Sequence, residues 1–156
     1  MTTWKQALSR ALRSGSAASV LSGAALAICG KLEQDAPAGP LNGPSQWIWG
    51  KRAAQRRRAS LRETAVGYSI HHAVSIGWAT LHEKQLAPLV DGRSMPALIG
   101  ASLATACFAC FMDYGVARGR LRPGFEKQLS RKSLAFVYCA FALGLALAGA
   151  ARTRRR

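Results

Sequence analysis

Three histidines, His71, His72 and His82, lie in one stretch that carries no formally charged side chain, residues 64–82. Imidazole there could hold a metal, ligate haem or relay a proton. Helical spacing sets Thr64, Gly67 or Tyr68, His71, Ser75, Trp78 and His82 along one face, and we take His71, His72, Ser75 and His82 as a candidate polar site. Haem would need a partner ligand: His71 and His82 are about 16 Å apart along a helix axis, and the other apolar stretches hold no histidine. Cys107 and Cys110 stand three residues apart in an apolar run, without the strand-to-helix setting of a redox motif. A cluster of His71, Cys107, Cys110 and Cys139 is one reading of the cysteines; small apolar packing residues are the other. A proton path needs several ionisable groups, whereas Glu63, Glu83 and Asp113 sit at the edges of the apolar stretches. Glu83 reads as a solvated charge that marks a boundary. Nothing has the form of a hydrolase elbow, a phosphate loop or a catalytic carboxylate pair. No cofactor, metal or catalytic residue is therefore assigned.

The elements that must position these groups are four uncharged runs, residues 14–30, 64–82, 94–112 and 133–151. A hydrocarbon layer about 30 Å thick is crossed by about 20 residues at 1.5 Å rise each. A soluble helix of that length shows a polar stripe every third or fourth residue, and the fourth run, from Leu134 to Ala150, shows no such stripe. The 156 residues carry 22 Lys+Arg against 7 Asp+Glu, a net charge of +15. A nucleic-acid module would spread that charge over its surface. Here it is segregated between apolar runs, which points to a membrane protein and away from nucleic acid. The run 14–30 follows Lys5, Arg10 and Arg13 as a secretory signal would, and Ala25-Leu26-Ala27 has the form of a cleavage site. Serine and glycine dilute it, so we read it as a span. Gly15, Ser19, Gly23 and Ala27 recur every four residues and predict a close-packing face. Ala140, Gly144 and Ala148, and Gly100 with Ala104, repeat the spacing.

The long connection between the first two runs divides in half. Pro37, Gly39, Pro40, Gly43 and Pro44 argue against a helix. From about 45 to 62, Trp47 and Trp49 precede Arg56, Arg57 and Arg58, a pattern of rings for the headgroup level and cations for anionic lipid. This half is expected to form a short amphipathic helix at the membrane interface. With four spans, thirteen Lys+Arg fall in the first and third loops and nine in the termini and second loop. That favours cytoplasmic first and third loops, while Arg152, Arg154, Arg155 and Arg156 pull the other way.

One span, a proline-containing loop with aromatics, a span with Gly67-Tyr68-Ser69-Ile70-His71-His72-Ala73 ending at Glu83, and two further spans form a layout that resembles the YagU-like group of small bacterial inner-membrane proteins. The resemblance implies a bacterial inner membrane and no established activity. The expected architecture is an all-α, integral-membrane four-helix bundle forming a single domain. Its expected role is a structural or accessory membrane component that contacts anionic lipid headgroups, a membrane protein partner or a second copy. A small-molecule or ion permease using the histidines, and a metal- or haem-binding redox protein, are the alternatives.

Overall fold

The computed structural model describes residues 2–154; Arg155 and Arg156, counted above in the C-terminal basic cluster, lie outside the described residues. Among the described residues the chain is helical, without strands. Four long helices dominate, beginning with α1 (Trp4–Gln34). Single turns α2 (Gly39–Asn42) and α3 (Gln46–Trp49) precede α4 (Val66–Gln85). The one-turn α5 (Ala87–Val90), then α6 (Met95–Phe111) and α7 (Arg131–Thr153) complete the order.

Three helices are long and apolar enough to cross a membrane: Trp4–Gln34, Met95–Val116 and Arg131–Thr153. The second of these is α6 continued by a π-helical turn, Met112–Val116. The helix α4 covers most of the expected span 64–82 but is not one of the three. Its histidines, serines and Glu83 dilute the apolar content that the other helices carry.

Helix ends follow local chemistry. The first helix starts ten residues before the uncharged run because Thr3 and Gln6 form a reciprocal cap: Thr3 N–H donates to Gln6 Oε1 (2.9 Å) and Gln6 N–H to Thr3 Oγ1 (3.2 Å). It ends at Asp35, whose left-handed conformation (φ 51°) returns the Ala36 N–H to the Gly30 carbonyl. At the start of α7, Glu33 accepts from the Ser130 N–H (2.8 Å) and Ser130 hydroxyl (2.7 Å), placing a carboxylate at a helix N-terminus.

The first loop departs from expectation in both halves. Its proline-rich half does hold helical turns, α2 and a 3₁₀ turn Gly43–Ser45, each with proline in its first turn where the missing N–H has no intrahelical partner. Its basic half is not one interfacial helix: it is the single turn α3, a 3₁₀ turn Ala53–Gln55, and non-helical chain from Arg56 to Ser60. Adjacent arginines at 56–58 repel, and carbonyls of this segment accept from side-chain amides instead of helical N–H groups.

The described residues divide into two compact units. One comprises the chain through Ser22, His72–Ala109 and the residues from Cys139 onward; the other comprises Gly23–His71 and Cys110–Tyr138. In the first unit α1 turns Ala7, Ala11, Ser14, Ala18, Ser19 and Ser22 inward. Gly144 of α7 packs so closely on this seam that an added Cβ would stand 2.6 Å from the Ala18 backbone nitrogen. In the second unit Gly67 stands directly against the Leu41 carbonyl. The expected packing pair Gly100 and Ala104 is different: both are exposed, and Gly100 has nothing within 4 Å of its missing Cβ. Spacing alone does not say which small residue meets a neighbour.

Many large apolar side chains lie on the outside, although Leu26, Leu98, Val137, Phe141 and Leu145 are buried. Among the described residues, fifteen large apolar side chains on the three apolar helices are exposed, including Leu8, Leu12, Val20, Ile28, Ile99, Leu103, Phe108, Phe111, Phe136, Leu143 and Leu147. The exposed part of each favours an apolar medium over water by about 25 cal/mol per Å².

The contrast between the two glycines is measurable in detergent. Gly144→Leu should lower thermal unfolding stability by about 1–3 kcal/mol or more through overpacking, whereas Gly100→Leu should stay within about 0.5 kcal/mol of wild type.

Candidate functional site

The polar residues of α4 follow the expected stripe in part. Gly67, Ser75, Ala79, His82 and Glu83 are buried; Thr64, Tyr68, His71, His72 and Trp78 are half-buried. The candidate residues are divided between the two units. His71 belongs to the unit built on Gly23–His71, where its ring lies edge-on to Phe125 (5.8 Å) and tilted to Tyr68 (6.1 Å). His72, Ser75 and His82 belong to the other unit. Cys29 is buried, Cys110 is half-buried, and Cys107 and Cys139 are exposed. Among the described residues no three His, Cys, Asp or Glu side chains converge as metal ligands would.

His82 is the histidine most enclosed by its neighbours. Its Nδ1 lies 2.8 Å from Thr105 Oγ1 on α6. The Thr105 hydroxyl already donates to the Ala101 carbonyl (3.1 Å), so His82 is assigned as the donor through Nδ1–H. Trp78 and Phe108 make an edge-to-face contact at 5.7 Å between the same two helices.

Glu83 corrects the sequence reading most sharply. It is 1% exposed, not a solvated boundary charge. Arg152 Nη1 donates to both of its oxygens, at 3.0 and 2.8 Å, while Arg152 Nε lies 3.6 Å from Asp91 Oδ1. A carboxylate taken out of water needs such a partner. Arg152 also closes one wall of a pocket of about 420 Å³, together with Ser9, Arg10, Arg13 and Ser14 of α1, Glu83 of α4, and Ala148 and Ala151 of α7. The sequence reading placed Arg10 and Arg13 as charges ahead of the first span and missed this pocket. The signal was present in their spacing of three on one helical face, but the residues opposite them are far away in sequence.

The second unit holds its irregular loops with buried amides. Asn42 Nδ2 donates to the carbonyls of Arg56 (2.8 Å) and Arg58 (3.1 Å), and its Oδ1 accepts from the Thr64 hydroxyl (2.6 Å). Gln128 Nε2 donates to Gly39 (2.9 Å) and Ala54 (2.7 Å) carbonyls. Gln46 donates to the Arg122 carbonyl (2.6 Å) and accepts from Lys127. Burial holds the Lys127 ammonium below the usual lysine range.

Of the expected lipid anchors, Trp47, Trp49, Arg56, Arg57 and Arg58 are all exposed. Several basic groups of this unit have internal partners as well. Trp47 Nε1 donates to the Arg122 carbonyl (3.2 Å), Arg62 stacks over the Trp49 ring (4.3 Å), and Arg120 donates to the Trp47 and Ile48 carbonyls that end α3. Arg56 Nη1 lies 3.2 Å from Glu63 Oε1.

Comparison of the chain with protein-family models, curated proteins and solved structures gives no match. The functional reading rests on the geometry.

Two outcomes follow from the charges. Arg152→Met strands the Glu83 carboxylate and should cost about 3–5 kcal/mol of unfolding stability in detergent, most of which Glu83→Leu added to Arg152→Met should restore. At the entry to α4, the Ser60 hydroxyl donates to the Glu63 carboxylate and accepts from the Glu63 N–H (2.8 Å). That hydroxyl first, then Arg56, holds the Glu63 carboxyl below its ordinary range. A depressed carboxyl stabilises the folded cap above its unfolded pKa of about 4.3 and loses that contribution as pH falls through the folded value. Hydrogen-exchange protection of the Glu63 amide, corrected for intrinsic rate, should hold from neutrality down to about pH 5 and weaken below about pH 4. Glu63→Gln should remove that acid step.

Proposed function

We propose that this chain is a small multi-pass membrane protein, and that its role is that of a structural or accessory component of the bilayer that engages anionic lipid headgroups. The observation that carries the reading is the number of large apolar side chains left exposed on α1, α6 and α7. Most of their buried positions are serine, alanine, glycine and threonine, with Leu26, Leu98, Val137, Phe141 and Leu145 among them, while fifteen large apolar side chains are exposed among the described residues. Water would penalise that arrangement at every exposed apolar side chain, whereas hydrocarbon would not. The helix α4 joins as a fourth crossing: its 20 residues give about 30 Å of helix, a match to the apolar layer. Ser75, His82 and Glu83 on its polar face are buried, as lipid favours.

The exposed Trp47-Ile48-Trp49 turn beside Lys51, Arg52, Arg57 and Arg58 supplies apolar rings and cations on one short segment, the combination that suits a negatively charged headgroup layer. The inner-membrane assignment and its bacterial setting follow from the resemblance carried by Gly67 to Glu83.

Fractionation tests the reading. After expression in a bacterial host, the intact chain should remain in the membrane pellet through an alkaline wash and enter solution with detergent. Its recovery as a monodisperse species from a detergent-free high-speed supernatant would overturn the proposal.

A further inference from the structure

Arg10 and Arg13 face the same pocket from one side of α1, and among the described residues neither makes an ion pair. Two cations three residues apart on a helix repel unless an anion lies between them. The third guanidinium in the wall, Arg152, is already neutralised in part by Glu83, with Asp91 behind it. The pocket wall therefore carries three guanidiniums against one carboxylate, and the set retains positive charge even when Asp91 is included. Neutral donors stand beside the cations. Ser9 lines the pocket, and the buried Ser14 hydroxyl donates over a long 3.4 Å bond to the Arg10 carbonyl, a weak commitment that a better acceptor would replace. Arg152 Nε is buried and hydrogen-bonded to nothing among the described residues.

We propose that this pocket binds a phosphate-bearing anion, held between Arg10 and Arg13 with the serine hydroxyls as further donors. Phosphate matches the donor set because guanidinium offers it paired N–H groups in a fixed fork, and several charge-assisted bonds can converge on its oxygens. The volume of about 420 Å³ exceeds a bare phosphate and leaves room for the group esterified to it, along Ala148 and Ala151. Two sources share this chemistry: the headgroup of an anionic phospholipid and a small soluble phosphate ester. Trp4, exposed at the start of α1 with the Lys84 ammonium 5.5 Å from its ring, gives the same unit an aromatic-cation pair suited to headgroup depth.

The test uses the full chain purified in a neutral, phosphate-free detergent and titrated by calorimetry with inorganic phosphate, glycerol 3-phosphate, or short-chain phosphatidylglycerol in mixed micelles, with phosphatidylcholine as the reference. Saturable binding of phosphatidylglycerol alone would identify a lipid headgroup, and saturable binding of the water-soluble probes would identify a soluble ester; both support the site. Arg10→Gln with Arg13→Gln should weaken that binding at least about tenfold, since it removes charge-assisted hydrogen bonds to the anion. Arg10→Lys with Arg13→Lys should retain most of it. Ala151→Glu, at an exposed wall position, should abolish it without removing an arginine. Arg93→Gln with Arg131→Gln, two exposed positions outside the pocket, should leave it unchanged. No saturable binding, wild-type binding by the glutamine pair or by Ala151→Glu, or an equal loss in the Arg93 and Arg131 control would each overturn the proposal. The lipid arm rests on the membrane reading; binding of inorganic phosphate would survive its failure, and loss of both arms in a chain that needs detergent would end the pocket alone.

Discussion

Close approach of helix backbones along seams of very small side chains is the constraint on which the rest depends. Hydrocarbon supplies no hydrophobic force to bring helices together, because lipid tails are as apolar as leucine. Contact must come from dispersion between surfaces that fit, and from polar groups that have no better partner. Alanine, serine and glycine along α1 provide the fit, and Gly144 on the Ala18 backbone is its tightest expression in the first unit. Many large side chains are thereby left on the outside, among them Leu8, Leu12, Phe108, Phe111, Phe136 and Leu143, while Leu26, Leu98, Phe141 and Leu145 fill the inside.

Polar groups inside the first unit obey the same rule. His82 has Thr105, Glu83 has Arg152, and Ser22 and Ser102 return their hydroxyl protons to carbonyls one turn back. The second unit solves a different problem, the exposed backbone of irregular loops. Asn42, Gln46 and Gln128 are buried amides that donate to loop carbonyls, and Arg120 covers the carbonyls at the end of α3. Cationic side chains in these loops thus have two duties, toward the fold and toward the surroundings, and charge counting along the sequence sees only the second.

The pocket lined by Arg10, Arg13 and Arg152 arises where those duties meet. Glu83 needs a cation because it is buried, and Arg152 supplies it from the last turns of α7. With that need met, the two arginines of α1 keep their charge for something else. A site of this kind is built from one satisfied ion pair and an excess of donors beside it.

Composition and spacing by themselves determined the helical class, the positions of the long helices and the small-residue face of α1, because each depends on period and local apolarity. The caps Thr3 with Gln6 and Ser60 with Glu63 were equally local, written three residues apart, and the early start of α1 follows from the first. What tertiary structure decided was partnership over distance. Glu83 and Arg152 are 69 residues apart, Gln46 and Arg122 are 76 apart, and no period in the chain links them. Gly100 and Gly144 look alike in sequence, and only the surface opposite each makes one a contact and leaves the other bare. The loop residues 46–60 took short turns and extended chain instead of one helix because carbonyls there found side-chain donors from elsewhere in the chain. Local pattern encodes which way a helix can face; long-range geometry selects which charge, amide or glycine it meets there.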